Sequence, residues 1–189
     1  MSSKIIGKNF QKVGVTPSII LCNPKYAHNV GMVLRLCSCF DVHQLWYTGE
    51  RVRTELEQKK RLPREERMKG YEDVELINYD YPFDQFKSAV PVAVEVRENS
   101  ENLFHFEHPE NAVYVFGPED GSISSTMLRH CHRFLVIPTR HCLNLSTAVS
   151  VVLYDRNMKL GVEFENVENR GFVENIHDLY DGKGALAQR

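Results

Sequence analysis

Short apolar runs rich in β-branched residues recur along this chain, and turn residues stop the clearest of them. Residues 18–22 are closed by Asn23 and Pro24, residues 112–116 by Gly117 and Pro118, and residues 134–137 by Pro138. Residues 44–47, 74–78 and 90–96 read as further strands of the same short, continuous kind. Helical spacing fills residues 29–40, residues 122–130 with Ser122 or Ser124 as cap, and residues 145–160. Continuous apolar strands alternating with helices predict an α/β domain, a mainly parallel sheet with helices on both faces.

At 189 residues and 42% hydrophobic content, the chain can bury one sizeable core. No run of 18 apolar residues is present and the first twelve residues hold no apolar stretch. Neither a membrane span nor a secretory leader is therefore expected. The five cysteines, an odd number, sit mostly in apolar segments, which points to buried, reduced thiols and a cytoplasmic location. Cys37 and Cys39 have no second pair at zinc-site spacing, so no metal is expected.

A net charge of −2 excludes nucleic-acid binding through bulk charge, so any such contact needs a local patch. Residues 51–69 carry eight basic against four acidic residues, among them Lys59, Lys60 and Arg61. That excess suits phosphate contacts, and suits equally a solvated helix laced with Glu/Lys pairs. Lys4, Lys8 and Lys12 form a weaker basic group, and the tail beyond residue 162 is polar and acidic. The organisation expected is an N-terminal extension over 1–16, one domain over 17–160 and a polar appendage over 161–189.

Three strand-to-helix junctions concentrate chemistry, and in a parallel sheet such junctions are where ligands bind. The first holds Asn29, Gly31 and Arg35; Gly31 and Arg35 are four apart and share a helix face, and an arginine there suits a phosphate or carboxylate. The second runs from Phe116 and Gly117 through Pro118 to Glu119 and Asp120. The third runs from Ile137 and Pro138 through Arg140, Cys142, Leu143 and Asn144 into a helix that is apolar on almost every side. A surface helix shows a polar face. This one should be covered by the sheet and by something else, which in a domain this small points to a second copy of the chain.

In this order the three segments resemble the SpoU (TrmH-like) branch of the SPOUT RNA 2′-O-ribose methyltransferases. The first family motif, N-x-G-x-x-x-R, is met by Asn29, Gly31 and Arg35. The second, an apolar strand and F-G-x-E, is met by Phe116, Gly117 and Glu119. The third, I-P followed by L-N-x-S-x-A and an apolar helix ending in Tyr-acidic, is met by Ile137, Pro138, Leu143, Asn144, Ser146, Ala148, Tyr154 and Asp155. The resemblance spans residues 17–160.

It implies a SPOUT fold whose C-terminal part threads a trefoil knot, with S-adenosylmethionine as cofactor. It also implies methyl transfer to a ribose 2′-hydroxyl of RNA, tRNA before rRNA, by a homodimer paired through the first and last helices. Phe116, Gly117, Ile137, Pro138, Cys142, Leu143 and Leu145 would hold the cofactor. Arg35, Asn144 and Glu119 would be catalytic, with Arg35 gripping ribose and phosphate and stabilising the developing alkoxide. Asn29, Arg35, Arg140, Lys59, Lys60 and Arg61 would meet the RNA.

Three departures from the family pattern stand beside this. Cys142 replaces the serine usual before Leu-Asn, the loop 138–143 is about three residues shorter than is common, and Ser122 stands where glycine is usual. The alternative they leave open is an RNA-binding protein of the same fold that has lost cofactor binding or turnover. A doubly wound oxidoreductase would carry G-x-G-x-x-G after a strand, and no such segment exists. Of the remaining residues, His28 and His141 flank the motifs, His105 and His108 read as loop residues, His130 and His132 as structural, and Trp46 and Tyr47 as sheet packing.

Overall fold

The computed structural model describes residues 14–58 and 74–162. Seven strands form one sheet: β1 (Ser18–Leu21), β2 (Gln44–Tyr47), β3 (Glu75–Asn78), β4 (Val90–Val94), β5 (Glu101–Asn102), β6 (Ala112–Phe116) and β7 (Arg133–Val136). Among the described residues, four helices accompany them: α1 (Ala27–Cys39), α2 (Arg53–Gln58), α3 (Ser125–Leu128) and α4 (Leu145–Lys159). The strand order is β3-β2-β1-β6-β4-β7-β5, and every pairing is parallel. The expected mainly parallel α/β architecture is what these residues form.

Side chains alternate across each strand, so one run of β-branched residues feeds two cores. Ile19, Leu21, Leu45, Tyr47, Val92, Tyr114, Phe116 and Leu135 point to the face covered by α1 and α4. Ile20, Trp46, Ile77, Ala93, Val113 and Val115 point to the other face, under Phe86, Ile123, Met127 and Cys131. Trp46 and Tyr47 are fully buried in the sheet, as their apolar surroundings in the sequence imply. The helices are shared unequally between the faces. The two long ones pack together on one side, and the other side is closed by α3 and a short 3-10 turn, Pro82–Gln85.

Several boundaries differ from the sequence reading. The helix expected over 122–130 is one turn, Ser125–Leu128, started by Ser124, whose hydroxyl accepts the Met127 N–H. Residues 117–124 are held instead as a turn around the site. Cys39 and Cys142 are exposed, against the expectation of buried thiols, whereas Cys22, Cys37 and Cys131 are buried. Burial pushes the Cys22 and Cys131 thiols up to about 12, so they stay protonated and inert.

His108 is a loop residue, as expected, and the structure adds that it is buried, between the Tyr114 hydroxyl (2.6 Å from Nδ1) and Asp155 (2.8 Å from Nε2). With Asp155 ionised, Nε2–H donates to the carboxylate and Nδ1 accepts the phenol proton. Lys4, Lys8, Lys12, Lys59, Lys60, Arg61 and the tail from residue 163 lie outside the described residues.

Candidate active site

Connections from β1 and β6 leave the sheet in opposite directions, since β2 lies on one side of this pair and β7 on the other. A crevice at the carboxyl strand ends follows from that reversal. A cavity of about 500 Å³ occupies it. Its walls come from four junctions: Tyr26, His28 and Asn29 after β1; Val94, Glu95 and Val96 after β4; Phe116–Glu119 and Gly121 after β6; and Ile137, Thr139 and Cys142–Leu145 after β7.

One polar chain ties three of these walls together. Asn29 Nδ2 donates to Glu119 Oε1 at 2.6 Å, and Asn29 Oδ1 accepts from Asn144 Nδ2 at 3.1 Å. One outer member also caps a helix. Asn144 Oδ1 accepts the Ser146 N–H (2.9 Å) and the Ser146 hydroxyl (2.7 Å), which fixes the start of α4. The other, Glu119, accepts the Lys25 N–H at 2.7 Å and so ties down the segment that leads into α1. Partial burial raises the Glu119 pKa, but the Asn29 amide and the backbone N–H groups outweigh it, and the carboxyl is held below its ordinary value. Glu119 is therefore a fixed anion at neutral pH.

A second latch closes the outer rim. Arg51 grips Asp120 in bidentate fashion (2.9 and 2.8 Å), and Lys25 Nζ lies 3.2 Å from the same carboxylate. The Arg51 hydrogen bonds above all, with Lys25 beside them, outweigh desolvation and hold the Asp120 carboxyl well below the usual carboxylate range. Arg51, counted in the sequence as part of a phosphate-binding segment, is thus engaged within the protein, and Arg53 pairs with Glu50 at 2.8 Å.

Glycine suits two turns here. A Cβ on Gly117 would come 3.2 Å from the Ile123 backbone nitrogen, a tight contact that the turn could take only by shifting a few tenths of an ångström. Gly49 adopts φ +75°, and a Cβ there would meet Asn23 Oδ1 at 2.3 Å.

Of the residues singled out in the sequence, Asn29, Phe116, Gly117, Glu119, Ile137, Cys142, Leu143, Asn144 and Leu145 line the cavity. Pro138, Arg140 and Arg35 are not among its lining residues. Pro138 and Arg140 are exposed in the loop, and Arg35 lies further along α1, partly exposed. Glu95 escaped the sequence reading. It ends a central strand inside the cavity and accepts the Ile123 N–H at 2.9 Å. An acidic residue directly after the apolar run 90–94 was the available signal.

A model of the SpoU rRNA Methylase family matches residues 17–154. The chain belongs to this family. Among curated proteins it is similar to tRNA (cytidine-2'-O-)-methyltransferase TrmJ of Methanocaldococcus jannaschii. The two are 28% identical over 161 residues, which cover 73% of this chain and 66% of that relative, just under two thirds of its length. Among solved structures, the TrmH/SpoU tRNA modifying enzyme of A. aeolicus is 19% identical with a TM-score of 0.64, over 85% of this chain and 77% of that one. The SpoU methyltransferase AviRb from Streptomyces viridochromogenes, in complex with the cofactor AdoMet, is 15% identical with a TM-score of 0.66, over 84% and 64%. The fold of the present chain is that of these enzymes.

Proposed function

We propose that this protein transfers a methyl group from S-adenosylmethionine to a ribose 2′-hydroxyl of RNA, with tRNA as the substrate class. The observation that carries the reading is the Glu119–Asn29–Asn144 chain, which locks three junctions around one cavity. The TrmJ and TrmH/SpoU relatives, both named for tRNA, support the choice of RNA.

The cavity fits the cofactor. Its volume, about 500 Å³, lies in the range of small-molecule sites. Val94, Phe116, Leu135, Ile137, Leu143, Leu145 and Ala148 supply apolar walls for an adenine, and the Gly117 turn adds backbone to the lining. S-adenosylmethionine, when bound, supplies an electrophilic methyl carbon on a sulfonium.

The chain's own residues do the positioning. Glu119, Asn29 and Asn144 have most of their hydrogen-bonding capacity committed to each other, to the start of α4 and to the Lys25 backbone ahead of α1. They act by holding the walls at fixed separation, the condition for in-line attack. Glu119 and Glu95 place negative charge around a cationic ligand. Arg35, a permanent cation on α1, is the group for the ribose–phosphate and for charge developing on the attacking oxygen.

The trefoil knot belongs to the same reading. What supports it is the insertion of β7 between β4 and β5 and the return of α4 onto α1. The dimer rests on the outer face of α4, where Tyr154 and Met158 are 64% and 60% exposed. No helix among the described residues is long and apolar enough to cross a membrane, and no described group of side chains is arranged to hold a metal ion. A cytoplasmic setting, and a division into residues 1–16, 17–160 and 161–189, complete the proposal.

The test is calorimetric titration of S-adenosylmethionine, followed by methyl transfer to unmodified tRNA transcripts, with Arg35→Ala alongside. We expect saturable binding at one site per chain, unchanged in Arg35→Ala, and a loss of about 100-fold or more in transfer by that variant. Binding of RNA with no cofactor binding at all would replace the enzyme reading by that of an RNA-binding protein.

A further inference from the structure

Tyr26 and His28 stand at the mouth of the cavity as an exposed aromatic pair. Their rings are stacked, with centroids 5.4 Å apart and planes 26° from parallel. Both line the cavity, and Tyr26 is 44% exposed. Neither ring belongs to either hydrophobic core. The Lys25 ammonium lies 5.3 Å from the Tyr26 ring centroid and is tied to Asp120. Asn29, the next residue, is 2% exposed and its side chain is anchored to Glu119 and Asn144.

Two aromatic rings left in solvent beside the cavity leave apolar surface uncovered. A flat, unsaturated ligand part covers such rings best, and a nucleobase has that shape on both faces. We propose that the Tyr26–His28 pair is a stacking platform for the base of the nucleotide that enters the cavity, placing its ribose over the Glu119–Asn29–Asn144 walls. This rests on the RNA-methyltransferase reading and adds to it the residues that hold the target base. The pair is a positioning device; it takes no part in proton or methyl movement.

Stacking makes a shape-dependent prediction that a structural role would not. Tyr26→Phe keeps the ring and should keep kcat/KM on tRNA transcripts near wild type. Tyr26→Leu and His28→Gln should lower it about five- to hundredfold, the span of one base–aromatic stack. Affinity for S-adenosylmethionine and the thermal midpoint should stay unchanged in all three. Equal activity of Tyr26→Leu and wild type would overturn the proposal, as would a parallel loss of cofactor affinity, which would move the pair to the cofactor.

A second measurement separates this from the activity. Nucleoside 5′-monophosphates are titrated in the presence of S-adenosylhomocysteine, and the His28 ring protons are followed by NMR, identified by their loss in His28→Gln. Upfield ring-current shifts that weaken in Tyr26→Leu support stacking even if no RNA is methylated, in which case only the enzyme reading falls. Methyl transfer by a wild type whose His28 protons do not respond overturns the platform and leaves the enzyme reading intact.

Discussion

Asn29 Nδ2 donates to Glu119 Oε1 across 2.6 Å, although ninety residues separate them in the chain. This bond joins the first strand-to-helix junction to the second, and the other end of the same amide joins both to Asn144 in the third. The family's three polar signatures are thus one hydrogen-bonded unit. An amide is the side chain the middle position requires, since it must donate on one side and accept on the other.

Replacing Asn29 with aspartate removes the donor and sets a second carboxylate against Glu119. Asn29 is 2% exposed, so the repulsion is poorly screened. Chemical denaturation at neutral pH should show a loss of about 3 kcal/mol. Cofactor affinity should fall with it, because the cavity walls lose their tie. A variant as stable as wild type would mean that the junctions are held by packing alone.

Acid should loosen the same unit. The Glu119 carboxyl is held below its ordinary value of 4.5, so the unfolded chain takes up protons first as pH falls. The contribution is complete above the unfolded value and is lost as pH drops through the lower, folded-state value. Asp120, displaced in the same direction by Arg51 and Lys25, adds to the slope. Denaturation midpoints measured from about pH 6 to about pH 3 should fall, and Glu119→Gln should flatten the curve.

His108 predicts a separate transition at higher pH. Burial lowers its pKa from 6.5, and the hydrogen bond and charge of Asp155 oppose this only in part. A base harder to protonate when folded makes the unfolded chain the better proton binder. Stability from neutral His108 is therefore full above about pH 6.5 and declines as pH falls below it. His108→Gln should lower stability at neutral pH and remove this part of the pH dependence. An unchanged slope between about pH 7 and pH 5 would show that another group titrates there.

Cys142 is exposed on the cavity wall, while Cys22, Cys37 and Cys131 are buried. Iodoacetamide should label Cys142 and Cys39 and spare the other three, as read by peptide mass mapping. The added group at Cys142 should weaken S-adenosylmethionine binding by about tenfold or more. Cys142→Ser, treated identically, should bind as the untreated protein does, which assigns the effect to the cavity thiol rather than to Cys39.

Tyr154 and Met158 lie four apart on the outer face of α4 and are largely exposed in the single chain. Sedimentation equilibrium should give twice the chain mass for wild type and the chain mass for Tyr154→Glu with Met158→Glu, with helix content preserved. A wild-type monomer would remove the dimer from the proposed function.

The order of strands and helices was legible because burial imposes a period. Residues 112–116 are apolar throughout, and β6 spans those residues between two cores. Residues 44–47 read the same way and form β2. The 122–130 segment misled because Ser122 and Ser124 both signal a cap, while the turn around Gly117 and Gly121 must bend around a cavity that no local pattern describes. The burial of His108 was not legible for a related reason: it lies in a loop, and its partners Tyr114 and Asp155 come from β6 and α4.

By itself the sequence determined the parallel α/β class, the three junctions that carry chemistry and, through their motifs, the family. Those properties are written in short-range periodicity and in residue identity at fixed spacing. Only the tertiary structure decided that Glu119 holds the Lys25 N–H ahead of α1 and Asn144 caps α4, with Asn29 between them, that Arg51 is latched to Asp120, and that Glu95 faces the cavity while Pro138 and Arg140 do not line it. A side chain's hydrogen-bond partner and its exposure depend on which strands become neighbours. That choice is made by the packing of the whole sheet, over separations of tens of residues that no local pattern records.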